Sequence, residues 1–246
     1  MTTGGPDPTS AGARHRALLV VRAIEAPRTL FIPEEREVHC LGALAALARI
    51  RALLLSIVHL DEVGRHDVVG LDLRAMLEVW YFGLISLLGT PEDLERLEAD
   101  HRFWRNRLST KMQGITSDEG AEKTFPVSQR AVRAGELLLK VGEPTGATVN
   151  WYQNFYAAES LLSAHAGFTA LKPYLTRHPD GGVGIVHDPP ASDEARAMRI
   201  EMGALMATLL AKHTWARIGL DPTPFDEIGV GLDHWGSGIS PEQDRT

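Results

Sequence analysis

The sequence predicts an all-α protein, an antiparallel helical bundle of four to five long helices with additional short helices. Apolar residues recur at helical spacing along several long segments. Glycine and proline residues separate these segments, and the alternating pattern typical of strands is nearly absent. The exception is a minor hairpin expected near residues 180–188, where an apolar run follows a Pro-Asp-Gly-Gly turn.

A single helical domain is expected at residues 15–218, because a chain of 246 residues is long enough to bury a substantial core. Residues 1–14 are rich in Gly, Pro, Ser and Thr, which predicts a disordered tail. Residues 219–246 predict an irregular C-terminal tail, in which Phe225 and Trp235 would pin part of the chain to the domain.

The first half of the chain predicts three helices. A short amphipathic helix spans residues 15–25, and a long helix spans residues 33–63. Gly64 ends the long helix, and Asp67 is placed to cap a central helix that runs to residue 88.

The second half predicts a more polar outer helix followed by three others. Thr90 is a candidate N-cap, and Pro91 suits the first helical position of the outer helix at residues 91–112. The remaining helices are expected at residues 128–141, at residues 150–171, and from a Ser192 cap to residue 218.

Composition excludes several classes of function. The net charge of -7 argues against a dedicated nucleic-acid-binding protein, which would carry a basic field. Cys40 is the single cysteine and lies among apolar residues, which favours a core position over a nucleophile. Residues 41–60 are apolar enough to consider as a membrane span, but Arg49 and Arg51 lie in the middle. We therefore expect a soluble, cytoplasmic protein.

Two charges interrupt the most apolar segment of the chain, residues 71–88. Arg74 and Glu78 are spaced i,i+4 and share one stripe of the central helix with Tyr81. Their apolar neighbours predict that the pair is at least partly buried, and a buried charge needs polar partners. The helix at residues 150–171 is expected to supply these partners, with the candidates Asn154, Tyr156, Glu159, Ser160, Ser163 and His165.

Two interpretations of this polar cluster stay open. It is either a network that fixes the register of the helices or a site that binds a ligand or catalyses a reaction. In an enzyme, His165 would be the acid or base, Arg74 would hold an anion, and Glu78 would orient one of them. A phosphodiester or a nucleotide would suit these three groups.

The order of the motifs resembles an uncharacterised bacterial family, an all-α domain of unknown function. The resemblance covers roughly residues 35–190 and rests on a long helix, a glycine turn, the segment LRAMLEVW, the segment YQNFYAAESLLSAHAG and the turn HPDGG. The non-catalytic expectation for the chain is a stress or defence accessory or an interaction module whose polar network is structural. The family is in turn similar to HEPN-like helical ribonucleases and toxins. Those proteins carry an Arg and a His separated by four to six residues on one helix. Arg51 and His59 are too far apart for this pattern and Arg36 and His39 too close, and the serines before His165 also depart from the family pattern.

Three further alternatives concern ligands and partners. A metal site could be formed by His39, His59 and His165 from three helices, although the sequence contains no His-x-x-x-His pair to support it. No motif predicts a cofactor, and a homodimer is one expected assembly. A local basic patch surrounds Trp104 and could hold nucleic acid, although a solvated face with one packed tryptophan is favoured; its cations are Arg102, Arg105, Arg107 and Lys111.

Overall fold

The computed structural model describes residues 9–27, 29–32, 34, 37–112, 125–143, 175–177, 179, 183–185 and 191–230. These residues form an all-α bundle, as predicted, with one two-stranded sheet. The helices are α1 (Ser10–Glu25), α2 (Glu37–Glu62), α3 (His66–Leu88), α4 (Pro91–Met112), α5 (Val127–Lys140), α6 (Asp193–Ile218) and α7 (Thr223–Glu227), and the strands are β1 (Leu175–Arg177) and β2 (Val183–Ile185).

The core lies between α2, α3 and α6, with α1 packed along α6 and against α2. Helix α3 is the central helix predicted from the sequence, and its residues Leu73, Leu77, Trp80 and Leu84 are fully buried. Cys40 is also fully buried, which confirms its place in the core.

The helices of the core do not all alternate in direction. Helix α2 runs antiparallel to α3, since Gly42 lies beside Ser86 and Gly83 lies beside Ala46. Helix α6 runs parallel to α3, since Gly203 contacts Met76 and Gly83 contacts Leu210. The N-termini of α1, α3 and α6 therefore meet the C-terminus of α2 at one end of the bundle.

Most predicted helix ends are confirmed by their capping groups. Thr90 Oγ1 accepts from the amide of Asp93 at 3.4 Å, and Asp93 Oδ2 accepts from the amide of Thr90 at 2.9 Å, which forms a reciprocal capping box for α4. Ser192 caps α6 through the amide of Ala195 at 3.1 Å. Gly64 ends α2 with a φ of 78°, a conformation that glycine adopts without strain.

Two predicted helix starts are wrong. Helix α1 begins at Ser10 instead of residue 15, because Thr9 caps it by accepting from the amide of Gly12 at 3.2 Å. Ser10 is buried, so part of the predicted disordered tail belongs to the domain. Asp67 does not cap α3; it lies in the first turn, and its carboxylate contacts Arg65 at 3.3 Å.

Helices α4 and α5 form an outer layer over α3. Buried Asp93 accepts from Arg133 at 2.7–3.0 Å, and buried Asp100 pairs with Arg130 and accepts from the amide of Phe125 at 2.9 Å. Each helix therefore contributes two like charges to one face, and the two faces neutralise each other.

The predicted hairpin and one tail anchor are also confirmed. Strands β1 and β2 pair antiparallel, with Leu175 opposite Ile185. The tail after α6 contains the short helix α7 and is less irregular than predicted through residue 230. Phe225 in α7 is buried and packs edge-on against Trp215, with ring centroids 5.9 Å apart. Trp235 lies outside the described residues.

In the described part of the chain, one helix, α2, is long and apolar enough to cross a membrane, judged by length and composition alone. Ten of its residues are buried in the bundle, which is also what a core helix of a soluble protein shows. The model is therefore compatible with a soluble protein.

Gly83 should tolerate no side chain, because helices α2 and α6 both approach it closely. A Cβ atom there would lie 2.8 Å from Ala46 Cβ and 2.7 Å from Leu210 Cδ2. We expect Gly83→Ala to lower the free energy of unfolding by about 1–3 kcal/mol, measured by chemical denaturation. Helix propensity alone would raise it by roughly 0.8–1.0 kcal/mol, so a stabilised variant would contradict this packing.

Candidate functional site

The predicted stripe on α3 separates into a surface part and a core part. Arg74 Nε lies 3.6 Å from Glu78 Oε1, and the two side chains are 28% and 39% exposed. The pair is therefore partly buried, as predicted, and keeps contact with solvent. Tyr81 is fully buried and stacks beside Trp80 with ring centroids 5.5 Å apart, so it belongs to the core instead of lining an open site.

The partners predicted for Arg74 and Glu78 lie outside the described residues. This applies to the whole segment at 150–171 and hence to Asn154, Tyr156, Glu159, Ser160, Ser163 and His165. The proposed link between Arg74 and His165 stays a prediction.

A different carboxylate, Asp61, is the most heavily paired charge among the described residues. Asp61 is 3% exposed and lies in the last turn of α2. Arg196 of α6 donates to both of its oxygens at 2.8 and 3.0 Å, and Arg14 of α1 also donates to it. His66 Nδ1, at the start of α3, lies 3.2 Å from Asp61 Oδ1. One carboxylate thus contacts three other helices.

The surroundings of Asp61 favour its ionised form. Burial alone would raise the pKa of Asp61, but the hydrogen bonds and charges of Arg196 and Arg14 outweigh it and lower the pKa below its usual value. The N-termini of α1, α3 and α6 lie at the same end of the bundle as this carboxylate, and a helix N-terminus favours nearby negative charge. An anion that is already matched by two guanidinium groups is suited to holding helices together and has no proton to transfer near neutral pH.

Neighbouring polar contacts extend this junction along α1 and α6. Asp193, in the first turn of α6, accepts from the amide of Ser10 at 3.1 Å and from its hydroxyl. Further along the same two helices, Arg16 of α1 pairs with Glu201 of α6, and these side chains are 8% and 0% exposed. We name the set Ser10, Arg14, Arg16, Asp61, Asp193, Arg196 and Glu201 the helix-end junction.

The helix-end junction was missed from the sequence, although it left a signal there. Arg16 falls in the buried stripe of Ala13, Ala17 and Val20, and Glu201 falls between buried Ile200 and Met202. A charge inside an apolar stripe was the pattern that drew attention to Arg74, and Arg16, Asp61 and Glu201 share it.

The metal alternative fails on geometry for two of its three ligands. His39 and His59 both lie on α2, and twenty residues of helix place them about 30 Å apart. The ring of His39 bonds instead to the carbonyl oxygen of Ser86 at 2.8 Å. Within the described ranges, no three His, Cys, Asp or Glu side chains are grouped to hold a metal ion.

Two open clefts flank Phe125 where α4 and α5 meet. One, of about 490 Å³, lies between Glu78, Asp100, Trp104, Phe125 and Arg130. The other, of about 500 Å³, lies on the opposite side and includes Asp93, Arg96 and Arg133. In these walls Arg130 pairs with Asp100, and Arg133 pairs with Asp93. The Arg96 guanidinium lies over the Phe125 ring, 3.9 Å from its centroid.

Trp104 lines the first cleft. The predicted solvated face fits the exposed positions of this helix, whereas the tryptophan is only partly packed: Trp104 is 53% exposed and lies edge-on to Phe103, with ring centroids 5.4 Å apart. Arg102 and Arg105 beside it are also exposed, whereas the side chains of Arg107 and Lys111 lie outside the described part. Trp104 and Glu78 line the same cleft, and the exposed part of the indole is a surface on which a planar ring could stack.

Comparison of the chain with protein-family models, with curated proteins and with solved structures found no match. The function must therefore be argued from the arrangement of the side chains.

We predict that Asp61→Asn lowers the free energy of unfolding by about 3–5 kcal/mol at pH 7, because two arginines lose a buried partner. The control is Asp226→Asn, whose exposed pair with Lys212 should change stability by less than about 1 kcal/mol. Urea denaturation of the three proteins measures both values.

The same variant tests the protonation of Asp61. The folded pKa lies below an unfolded value of about 3.9, so the unfolded chain binds more protons as the pH falls through that interval. Wild-type stability should therefore fall below about pH 4, and Asp61→Asn should lose part of this slope. Identical pH profiles would contradict the assignment.

Proposed function

We propose that this chain is a non-catalytic interaction module, a soluble cytoplasmic domain that acts by binding another protein chain. The observation that carries the proposal is the pairing of the buried acids. Each of four buried acids pairs with an arginine of a helix other than its own; the acids are Asp61, Asp93, Asp100 and Glu201. Such pairs fix which helix packs against which, and this favours a structural role for the four acids.

The surface gives the second support. Large apolar side chains stand exposed on several described helices, including Val38 and Leu41 on α2 and Val132 and Leu139 on α5. Exposed apolar faces of this kind mark protein interaction sites when they are contiguous. A stress or defence accessory role fits an interaction module of this type.

We expect Arg74→Ala and Glu78→Gln to change stability by no more than about 0.5 kcal/mol, because a partly exposed i,i+4 pair contributes little. Wild-type protein should turn over neither RNA nor nucleotides in sensitive hydrolysis assays. Turnover that is lost in Glu78→Gln or in His165→Ala, with an unchanged melting temperature, would replace this proposal with the enzyme alternative.

A second candidate function is binding of single-stranded nucleic acid or a nucleotide at the cleft beside Trp104. The exposed indole supplies a stacking surface, and exposed Arg102 and Arg105 supply cations for phosphates. Glu78 at the rim could accept from the amino group of a base. This candidate rests on the exposure of Trp104.

Fluorescence anisotropy with a short single-stranded RNA tests it. Stacking on one aromatic contributes about 1–3 kcal/mol per base, so Trp104→Ala should weaken binding at least fivefold. Phe31→Ala is the matched control, because Phe31 is 82% exposed and does not line the cleft. Equal affinities for both variants, or no binding by wild type, would remove this candidate.

A further inference from the structure

Apolar residues at heptad spacing lie on the outward face of α2, where the described residues of the bundle leave most of them exposed. Val38, Leu41, Ala45, Ala48 and Ala52 are all exposed, with Val38 71% and Leu41 50% exposed. They are spaced alternately by three and four residues, and half-buried Leu55 continues the series. We name these six residues the α2 seam. Spacing of this kind is the pattern by which two helices pack along each other.

We propose that the α2 seam is a homodimer interface in which α2 of one copy packs antiparallel to α2 of a second copy. The inference rests on the proposed interaction module and names its partner. The opposite face of α2 is occupied by the core, which includes Ala43, Leu47, Ile50 and Leu54. Among the described residues, the α2 seam is exposed along this helix and is therefore open to a second helix.

The sizes of the seam residues match in the antiparallel direction. If Ala45 of one copy faces Ala48 of the other, then Leu41 faces Ala52 and Val38 faces Leu55 in the same register. The three alanines lie between the larger residues of the two ends, and the twofold axis places the large Leu41 against the small Ala52. Alanines at the centre also allow the helix axes to approach to about 8 Å.

The charges at the ends favour the same direction. Exposed Glu37 lies before the seam, and exposed His59 lies beyond its far end. In the same register Glu37 of one copy lies opposite Ser56 of the second copy, within one helical turn of His59, and the two helix dipoles oppose each other. Parallel pairing would place Glu37 beside Glu37 and Arg49 beside Arg49.

Other occupants fit the α2 seam less well. A helix that lies on a membrane surface presents a strongly charged face opposite its apolar face, whereas the opposite face of α2 is core. The seam spans eighteen residues, about 27 Å of helix, which places the contact at the lower end of stable interfaces. We therefore expect a dimer that dissociates on dilution.

Sedimentation of the full chain tests the proposal. Wild type should change from a 26.9 kDa monomer toward twice that mass as its concentration rises through the micromolar range. Ala45→Arg should weaken the dimer at least tenfold, because it adds a large cation at the closest contact beside Arg49. The control is Ala216→Arg, an exposed alanine of α6 outside the seam, which should dimerise as wild type does.

Cysteine cross-linking tests the direction. Native Cys40 is fully buried and should stay silent. A mixture of Leu41→Cys and Ala52→Cys proteins should form a disulfide-linked heterodimer, while neither variant alone should cross-link efficiently. Cross-linking of each variant with itself would indicate parallel helices and overturn the proposal.

The remaining outcomes are also decisive. A chain that is monomeric at about 100 µM, or a dimer that Ala45→Arg leaves intact, overturns the inference. Binding of the monomer to phosphatidylcholine/phosphatidylglycerol vesicles through the seam would assign the face to lipid. In each of these cases the absence of turnover would still support the interaction module, so the two proposals fail separately.

Discussion

The buried carboxylate of Asp61 is the point at which four helix ends meet. Its charge must be answered, because an unpaired carboxylate in this position would cost several kcal/mol. Arg14 and Arg196 can answer it only when α1 and α6 begin beside the end of α2, and His66 at the start of α3 lies beside the same carboxylate, with Nδ1 3.2 Å from Asp61 Oδ1. The electrostatic requirement of one residue therefore selects the arrangement in which three core helices run in one direction and α2 runs in the other.

The sequence predicted the helices well because their signals are local. The capping box of Thr90 and Asp93, the cap at Ser192 and the glycine at residue 64 each act within a few residues, and each was read correctly. Thr9 was missed because the Gly- and Pro-rich composition around it resembles a disordered tail. Its helix is stabilised by distant contacts, such as that between Ser10 and Asp193, which leave no local signal.

The candidate site was predicted less well for a related reason. Arg74 and Glu78 stood out because they interrupt an apolar segment, but the structure leaves both partly exposed. Arg16 and Glu201 interrupt apolar stripes in the same way and are the buried pair. Periodicity identifies a charge on an apolar face, but whether that charge is buried depends on which helix covers the face. That choice is made by contacts between residues more than a hundred positions apart.

The two faces of α2 connect the fold to the proposed function. One face enters the core and carries Asp61 at its end, and the other presents the α2 seam. Because the helix-end junction holds α2 firmly against the bundle, the seam is a rigid surface, and a rigid surface loses little entropy when it binds. In this account the buried charges serve recognition indirectly, by fixing the helix that makes the contact.

A double-mutant cycle between Asp61 and Arg196 tests this account most directly. The free energy of unfolding would be measured for wild type, Asp61→Asn, Arg196→Gln and the double variant, with the exposed Arg51–Glu25 pair as a reference cycle. The account predicts a coupling energy of about 1–3 kcal/mol for the buried pair and less than about 1 kcal/mol for the exposed pair. A coupling energy near zero at Asp61 would contradict the claim that this carboxylate fixes the arrangement of the helices.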